Sequence, residues 1–269
     1  MVAGIQKHRH SVTWYEDMQD WVFPREALLS TPSVLSHAVT VSSELVYRAK
    51  LISFLRAVAI SLRLSQRVIA TAACFFHRFY LVHPLSAPYD IAATCLYIAT
   101  KVEESPCRLE EFARECSEKA AKRSHVSQKQ VQRWQQLILA NEALVLEAIR
   151  FDLVVEHPYV SLLHLDHTRD MPCGVVRLAW AFCNDSYRLP LCVLFVPRVI
   201  ACAAIQFAYD QLGYPFHLAP EKQPSRQDTP ACGSWLDWFQ VDPAEVDAVL
   251  AMMKEDVEQR RQTMSPALS

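Results

Sequence analysis

The sequence predicts an all-α protein made of two tandem helical bundles of about five helices each, the second less regular. An N-terminal arm precedes them and a C-terminal helix follows. Three observations support this prediction: the first half shows no alternating pattern of a half-buried strand, proline and capping residues divide the chain into helix-length segments, and one ten-residue segment occurs twice. With 269 residues, of which 51% are hydrophobic, the chain is long enough for two bundles.

The first bundle follows an irregular arm and is predicted from five successive helical segments. Helix three has no charged residue between Ile91 and Ala99, and helix five is nearly as apolar from Leu137 to Ile149. A helix that is apolar on every face must be surrounded by other helices, so helices three and five are predicted near the centre. Ser127 and Gln130 form a capping box at the start of helix five. The five segments run from Ser42 to Leu62, Leu64 to Leu81, Asp90 to Lys101, Pro106 to Ala121, and Ser127 to Ile149.

A repeat predicts the second bundle. The segment Arg67–Phe76 recurs as Arg198–Phe207, with seven of ten residues identical at an offset of 131. Repetition in chain order indicates two copies of one helical unit. Pro158 opens a new helix, which places the boundary between Phe151 and Tyr159. The predicted division is an arm at 1–41, a first unit at 42–155, and a second unit with the C-terminal helix at 156–269.

The second copy is expected to be incomplete. Where it should repeat helix three, the chain has the polar segment Glu221–Asp228. Asp242 and Pro243 then provide an N-cap and a proline at the first helical position. They predict a final amphipathic helix that ends near Gln262.

Composition excludes several classes of function. The four glycines are scattered, so no phosphate-binding loop can form, and the nine cysteines form no CxxC pair. A net charge of −2 gives no basic surface for direct contact with nucleic acid. We therefore expect no cofactor, no metal, and buried free thiols at Cys74, Cys95 and Cys202. The chain start lacks the apolar core of a signal peptide and no span reaches ~20 apolar residues, so no membrane is expected.

Several motifs occur in the order found in one protein family. An apolar helix is followed by KVEE and a proline between Tyr89 and Pro106, and FDL stands at 151–153. Together the motifs resemble the cyclin family, in particular the branch of cyclin K, cyclin T and the fungal C-terminal-domain-kinase cyclin. The others are HRFY at 77–80, VEHPY at 155–159, AWAFCNDS at 179–186 and the segment from Trp235 to Pro243.

This resemblance implies a fold of two cyclin boxes and a regulatory subunit without catalytic residues. In cyclins, a lysine at the end of helix three and a glutamate in helix five bind the regulatory helix of a cyclin-dependent kinase. Lys101 and Glu142 occupy those positions here. Ile98 and Val102 lie one helical turn apart, and so do Glu142 and Leu146, which places each pair on one helix face. The apolar pocket for the kinase helix is implied to comprise Ile98, Val102, Leu146, Phe151 and Leu153.

The resemblance also suggests which kind of cyclin this is. Cell-cycle cyclins carry the sequence MRAIL followed by a tryptophan, whereas this chain has YRAKL at 47–51 and Phe54. That difference favours a nuclear transcription-elongation cyclin, with some cytoplasmic presence left open. Its partner would be a transcriptional cyclin-dependent kinase that phosphorylates the C-terminal repeats of RNA polymerase II. Which kinase it is, and whether a third accessory subunit joins, is left open.

Other interpretations remain. A general transcription factor of the initiation-factor-IIB type also has two cyclin-like repeats, but it would need a zinc ribbon and a basic surface. A cell-cycle cyclin or one like cyclin C or cyclin L is a second alternative. Lys101 could be a solvated helix end, and Glu103 and Glu104 could either contact the kinase or be solvated. We expect structural roles for His77, His83 and His157, and core positions for Phe75, Phe76, Phe79 and Tyr80.

Overall fold

The computed structural model describes residues 21–36, 39–86, 88–169, 171–214 and 240–264, and these ranges contain no β-strand. The all-α prediction is confirmed. Short 3₁₀ turns occur at Arg25–Ser30 and Pro190–Val193, and a single helical turn at Pro32–Leu35. The longer helices are α1 (Val41–Ser61), α2 (Gln66–Val82), α3 (Pro88–Val102), α4 (Leu109–Ala121), α5 (Gln128–Ala148), α6 (Pro158–Arg169), α7 (Cys173–Ser186), α8 (Pro197–Leu212) and α9 (Pro243–Met264).

Side-chain caps fix the starts of three of these helices. The hydroxyls of Thr40, Ser65 and Ser127 each accept a hydrogen bond from a backbone N–H in the first turn of α1, α2 and α5. At α5 the predicted capping box is confirmed, because Gln130 Oε1 accepts from the Ser127 N–H at 2.8 Å. The predicted start of α4 at Pro106 is wrong. Arg108 has an extended backbone, with ψ at 129°, so the first turn forms only after it.

Helices α2 and α3 form the centre of the first unit. Every residue of α2 from Val68 to Leu81 is buried, because α1, α3 and α5 cover part of it and the turn Pro190–Val193 covers another part. Helix α3 is buried from Ile91 to Thr100 apart from Tyr97, which confirms the prediction for helix three. The aromatic residues predicted for the core are buried as well: Phe75, Phe76, Phe79 and Tyr80.

Helix α5 differs from its prediction. It buries a single face, made by Val131, Ile138, Val145 and Ala148, so the expectation that helix five lies near the centre is wrong. Trp134 and Leu146 are only half-buried, and Leu139 and Leu144 are 54% and 40% exposed. An apolar sequence alone cannot show whether the chain itself or another molecule covers the second face of a helix.

In the second unit α8 takes the central place. It packs against α6, α7 and α9, and its residues Val199–Ile205 are all buried. The repeated segment therefore forms a buried helix in both units, as α2 and α8. The thiols of Cys74, Cys95 and Cys202 are buried, as predicted. Outside the described residues lie the polar segment 221–228 and the entry to the last helix at Trp235.

A buried polar cluster joins the two units. Arg48, which is fully buried, donates from Nη2 to Glu44 Oε1 at 2.5 Å and to the Tyr80 carbonyl at 2.6 Å. His77 Nε2 lies 2.9 Å from the Tyr187 carbonyl, which can only accept, so that nitrogen carries the proton. Burial, and then the charge of Arg48, lowers the pKa of His77 to about 3. The neutral ring and the paired guanidinium together satisfy the buried polar atoms of this contact.

Candidate functional site

The two residues singled out as a pair meet at the surface of the first unit. Lys101 lies in the last turn of α3, and its Nζ donates to Oε1 of Glu142 in the middle of α5. The Lys101 ammonium also lies 4.9 Å from the centre of the Tyr97 ring. The two side chains are 44% and 23% exposed, and an ion pair at such exposure contributes at most about 1 kcal/mol to stability. The second Glu142 oxygen and the other Lys101 protons can bind a partner.

Helix α3 ends in a tight turn directly after Lys101. The Ser105 N–H donates to the Thr100 carbonyl at 2.8 Å, and the Glu104 N–H donates to the Lys101 carbonyl at 3.3 Å. Glu104 has a positive φ of 50°, which completes a Schellman motif without glycine. Glu103 is neither solvated nor turned outward, because its carboxylate accepts from Thr71 Oγ1 at 2.6 Å and pairs with Arg67 Nε at 2.5 Å.

Helix α5 ends in the same way at the other edge of the site. The Phe151 N–H donates to the Leu146 carbonyl at 2.8 Å, and the Arg150 N–H donates to the Glu147 carbonyl at 3.0 Å. Arg150 and Phe151 both have positive φ, 57° and 55°. That conformation is uncommon for a bulky residue and persists only where its surroundings enforce it. As a result the Phe151 side chain stands out from the end of the helix and is 63% exposed.

Asp152 holds this turn in place. Its Oδ2 accepts a hydrogen bond from Trp21 Nε1 at 2.8 Å, and its carbonyl accepts from Arg78 Nη1 at 3.1 Å. The guanidinium of Arg78 lies 4.6 Å from the centre of the Trp21 ring, so the three side chains support one another. Local contacts therefore explain the FDL sequence, because Asp152 anchors the backbone that exposes the Phe151 side chain.

The predicted apolar residues of the site are buried to different depths. Val102, Leu146 and Leu153 are half-buried and rest on the core, and Phe151 is exposed. Ile98 is only 2% exposed, so it can support this surface from beneath but offers almost no area to a partner. An exposed apolar surface around a few polar groups is typical of a protein-binding site.

The structure adds two residues that sequence reasoning missed, Leu139 and Val154, both exposed. Leu139 precedes Glu142 by three positions and Leu146 by seven, so all three lie on one strip of α5. That spacing was present in the sequence and could have identified Leu139. Val154 follows the αL turn at Phe151, and its exposure depends on a backbone conformation that no local sequence pattern specifies.

The stretch that replaces MRAIL offers no comparable surface. Leu51 and Phe54 are buried, and the Phe54 ring is covered by Tyr89 and Trp134, whose ring centres lie 5.0 Å and 6.2 Å away. At the surface, Lys50 Nζ lies 5.4 Å from the centre of the Tyr47 ring. A tyrosine and a lysine thus stand where an apolar groove would be needed.

The described residues carry few groups suited to covalent or metal chemistry. Burial raises the pKa of the Cys95 and Cys116 thiols, which leaves them neutral and poorly nucleophilic. Within the described ranges, no three His, Cys, Asp or Glu residues are grouped so that they could hold a metal ion. None of the helices described is both long and apolar enough for a membrane span.

Comparison with protein families supports the sequence interpretation. Residues 23–154 match the family model of the cyclin N-terminal domain. Over 246 residues the chain is 34% identical to cyclin pch1 of Schizosaccharomyces pombe, covering 88% of this chain and 69% of that protein. It is 33% identical to cyclin-T1-2 of Oryza sativa subsp. japonica and 31% identical to human cyclin-K, over 90% and 70% of this chain. It spans only 38% and 33% of those two longer proteins.

Solved structures share the fold. A chain in the crystal structure of the yeast RNA Pol II CTD kinase CTDK-1 complex matches with a TM-score of 0.65 and 16% identity, over 86% of this chain and 71% of that chain. A chain of the CAK complex from Chaetomium thermophilum matches with a TM-score of 0.58 and 21% identity, over 90% and 78%. Because the identity is low, these matches establish the tandem helical fold and nothing further.

Proposed function

This chain belongs to the cyclin family, and from this we propose that it is the regulatory subunit of a transcriptional cyclin-dependent kinase, which it binds through the surface around Lys101 and Glu142. Members of this family regulate kinases and are not enzymes themselves. Its relatives include pch1, cyclin-T1 and cyclin-K proteins, the branch that the motifs predicted. The observation that supports the binding surface most is the Lys101–Glu142 pair, which joins the last turn of α3 to the middle of α5 beside the exposed Leu139.

The chemistry of such a subunit is positional. A protein kinase is competent only when a lysine of its sheet and a glutamate of its regulatory helix form an ion pair. A partner that binds the inward position of that helix more tightly than the outward one shifts the kinase population toward the competent state. Lys101 and Glu142 would bind polar groups of the kinase helix, and Leu139, Leu146 and Phe151 would cover its apolar side chains.

Preorganisation supports this role. Two hydrogen-bonded turns fix the ends of α3 and α5, and the anchored Asp152 presents Phe151. A surface that is already ordered loses little conformational entropy when it binds. The exposure of Leu139 on α5 has the same explanation, because this side chain would be covered in the complex.

We further propose that the kinase phosphorylates the C-terminal repeats of RNA polymerase II and that the complex acts in the nucleus during transcription elongation. Support comes from the similarity to a chain of the RNA Pol II CTD kinase CTDK-1 complex and from the relatives named above. Whether a third subunit takes part is open within this proposal.

Affinity purification of the full chain from cell extract, followed by a kinase assay on polymerase C-terminal repeats, tests the proposal. We expect one protein kinase to be recovered in stoichiometric amount and to phosphorylate the repeats, with neither subunit active alone. Recovery of a kinase that does not phosphorylate the repeats would show that the proposed substrate is wrong. Recovery of no kinase, or of a promoter-bound initiation complex in its place, would overturn the proposal in favour of a general transcription factor.

A further inference from the structure

A chain of hydrogen bonds runs from the second unit to the end of α3. Tyr187, which caps α7, places its hydroxyl 2.7 Å from Nδ1 of His157. The other ring nitrogen of His157 lies 2.9 Å from Thr71 Oγ1 in α2. The Thr71 hydroxyl donates to Glu103 Oε1 at 2.6 Å, and Arg67 pairs with the other oxygen of that carboxylate. We call these five residues the polar relay.

The direction of each bond in the polar relay follows from the donors available. The Glu103 carboxylate can only accept, so the single Thr71 proton is directed to it. Thr71 Oγ1 must then accept from His157, and therefore Nε2 of His157 carries the ring proton. Nδ1 is left to accept from the Tyr187 hydroxyl. Burial, the largest effect, lowers the pKa of His157 to about 4, which agrees with a neutral ring.

The relay ends where the candidate binding surface begins. Glu103 is the residue between α3 and the positive-φ residue Glu104, two positions after Lys101. Its backbone N–H donates to the Ala99 carbonyl at 3.0 Å, and its side chain is held by Thr71 and Arg67. Since Glu104 adopts a conformation unfavourable for a non-glycine residue, tertiary contacts must enforce the turn. The Glu103 carboxylate supplies such a contact.

We propose that Thr71 and His157 are positioning residues for the partner-binding surface: through Glu103 they fix the end of α3, and with it the placement of Lys101. This inference rests on the proposed function. It gives the second unit a part in kinase binding, because His157 and Tyr187 both belong to that unit. Neither residue touches the partner in this account, and each acts through Glu103.

Thr71→Val removes the central hydroxyl of the polar relay with little change in volume. Thr94→Val is the matched control, because Thr94 is also buried in a helix and its hydroxyl donates only to the Asp90 carbonyl, at 2.8 Å. Hydrogen exchange on the free full-length chain reports the turn directly through the amides of Glu104 and Ser105. We expect exchange at those amides to be about tenfold faster in Thr71→Val and unchanged in Thr94→Val. Equal exchange in the two variants would overturn the proposal.

A second measurement separates positioning from general stability. With the kinase recovered in the affinity purification as the probe, Thr71→Val should weaken binding about five- to tenfold. In a Lys101→Ala background the same substitution should weaken binding less than twofold, since the placement of Lys101 no longer matters. A purely structural role for Thr71 would produce the same loss in both backgrounds, and that result would contradict the proposal.

Two variants of His157 test the assigned direction of its hydrogen bonds. A glutamine amide can still donate to Thr71 from its Nε2, whereas a phenylalanine ring can neither donate to Thr71 nor accept from Tyr187. Binding should therefore be retained to a larger extent in His157→Gln than in His157→Phe, and equal loss would contradict the assigned direction of the bonds. If no kinase is recovered at all, the proposed function fails, and the exchange measurement still decides whether the relay holds the end of α3.

Discussion

Two buried histidines lie in the contacts between the helical units, and both are neutral. His77 donates to the Tyr187 carbonyl, and His157 donates to Thr71 while accepting from the Tyr187 hydroxyl. Their predicted structural roles agree with these buried, fully bonded positions. A neutral imidazole in such a place couples the stability of the fold to pH, because the unfolded chain leaves the ring free to take up a proton.

The pH dependence of stability follows from these shifts. In the folded chain the pKa values are lowered to about 3 for His77 and about 4 for His157, against about 6.5 in an unfolded chain. From pH 6.5 down to about 4 the unfolded state therefore binds more protons, and stability falls as the pH falls. We expect each histidine to contribute a loss on the order of 1 kcal/mol per pH unit in this window. Urea unfolding at pH 7, 6 and 5 measures the slope.

Two glutamine variants check this prediction. His77→Gln and His157→Gln should each lower the slope by about one proton, because each removes a ring that takes up a proton only on unfolding. An identical slope in wild type and His157→Gln would show that the ring does not take up a proton on unfolding.

At the level of single residues, the sequence predicted the candidate site less well than it predicted the helices. Lys101 and Glu142 are 41 positions apart, so no local spacing can show that they meet, and their pairing was implied by the resemblance to cyclins. The role of Glu103 could not be predicted, because its partners Thr71 and Arg67 lie on another helix. Long-range contacts of this kind depend on the packing of whole helices.

At the level of elements, capping and proline signals placed most helix starts within two residues. Three of these helix starts are fixed by N-cap hydrogen bonds to the side chains of Thr40, Ser65 and Ser127. The prediction for helix five was wrong in one respect, because an apolar sequence was taken to mean burial within the chain. The exposed leucines of α5 show that part of this apolar surface is open to a partner.

Helix α5 offers a matched pair of leucines to test which face binds. Leu139 lies on the strip of Glu142 and Leu146, whereas Leu144 lies on the opposite side of the helix, and both are exposed. Leu139→Ser should weaken kinase binding about five- to tenfold through lost apolar burial, and Leu144→Ser by less than twofold. Binding measured by titration calorimetry gives both values. Equal losses would show that the binding face has been assigned wrongly.

At the level of the whole molecule, elements of both helical units pack against one buried helix, α2. The repeat at an offset of 131 predicted α2 and α8, but it could not show that α2 would be covered by both units. Two polar residues of α2, Thr71 and His77, make contacts with the second unit. We propose that the division at 155 and 156 separates two units that fold together.

The central claim is that the Lys101–Glu142 surface binds and activates a kinase. Because this ion pair contributes little to stability, the double variant Lys101→Ala, Glu142→Ala should remain helical with an unchanged melting temperature. The matched control removes another exposed pair, Lys119 and Glu115, whose side chains are 37% and 24% exposed.

The most direct test is kinase activation by these two double variants in a reconstituted assay. We predict that Lys101→Ala with Glu142→Ala abolishes activation, while Lys119→Ala with Glu115→Ala activates like the wild type. Full activation by the folded Lys101→Ala, Glu142→Ala chain would contradict the account.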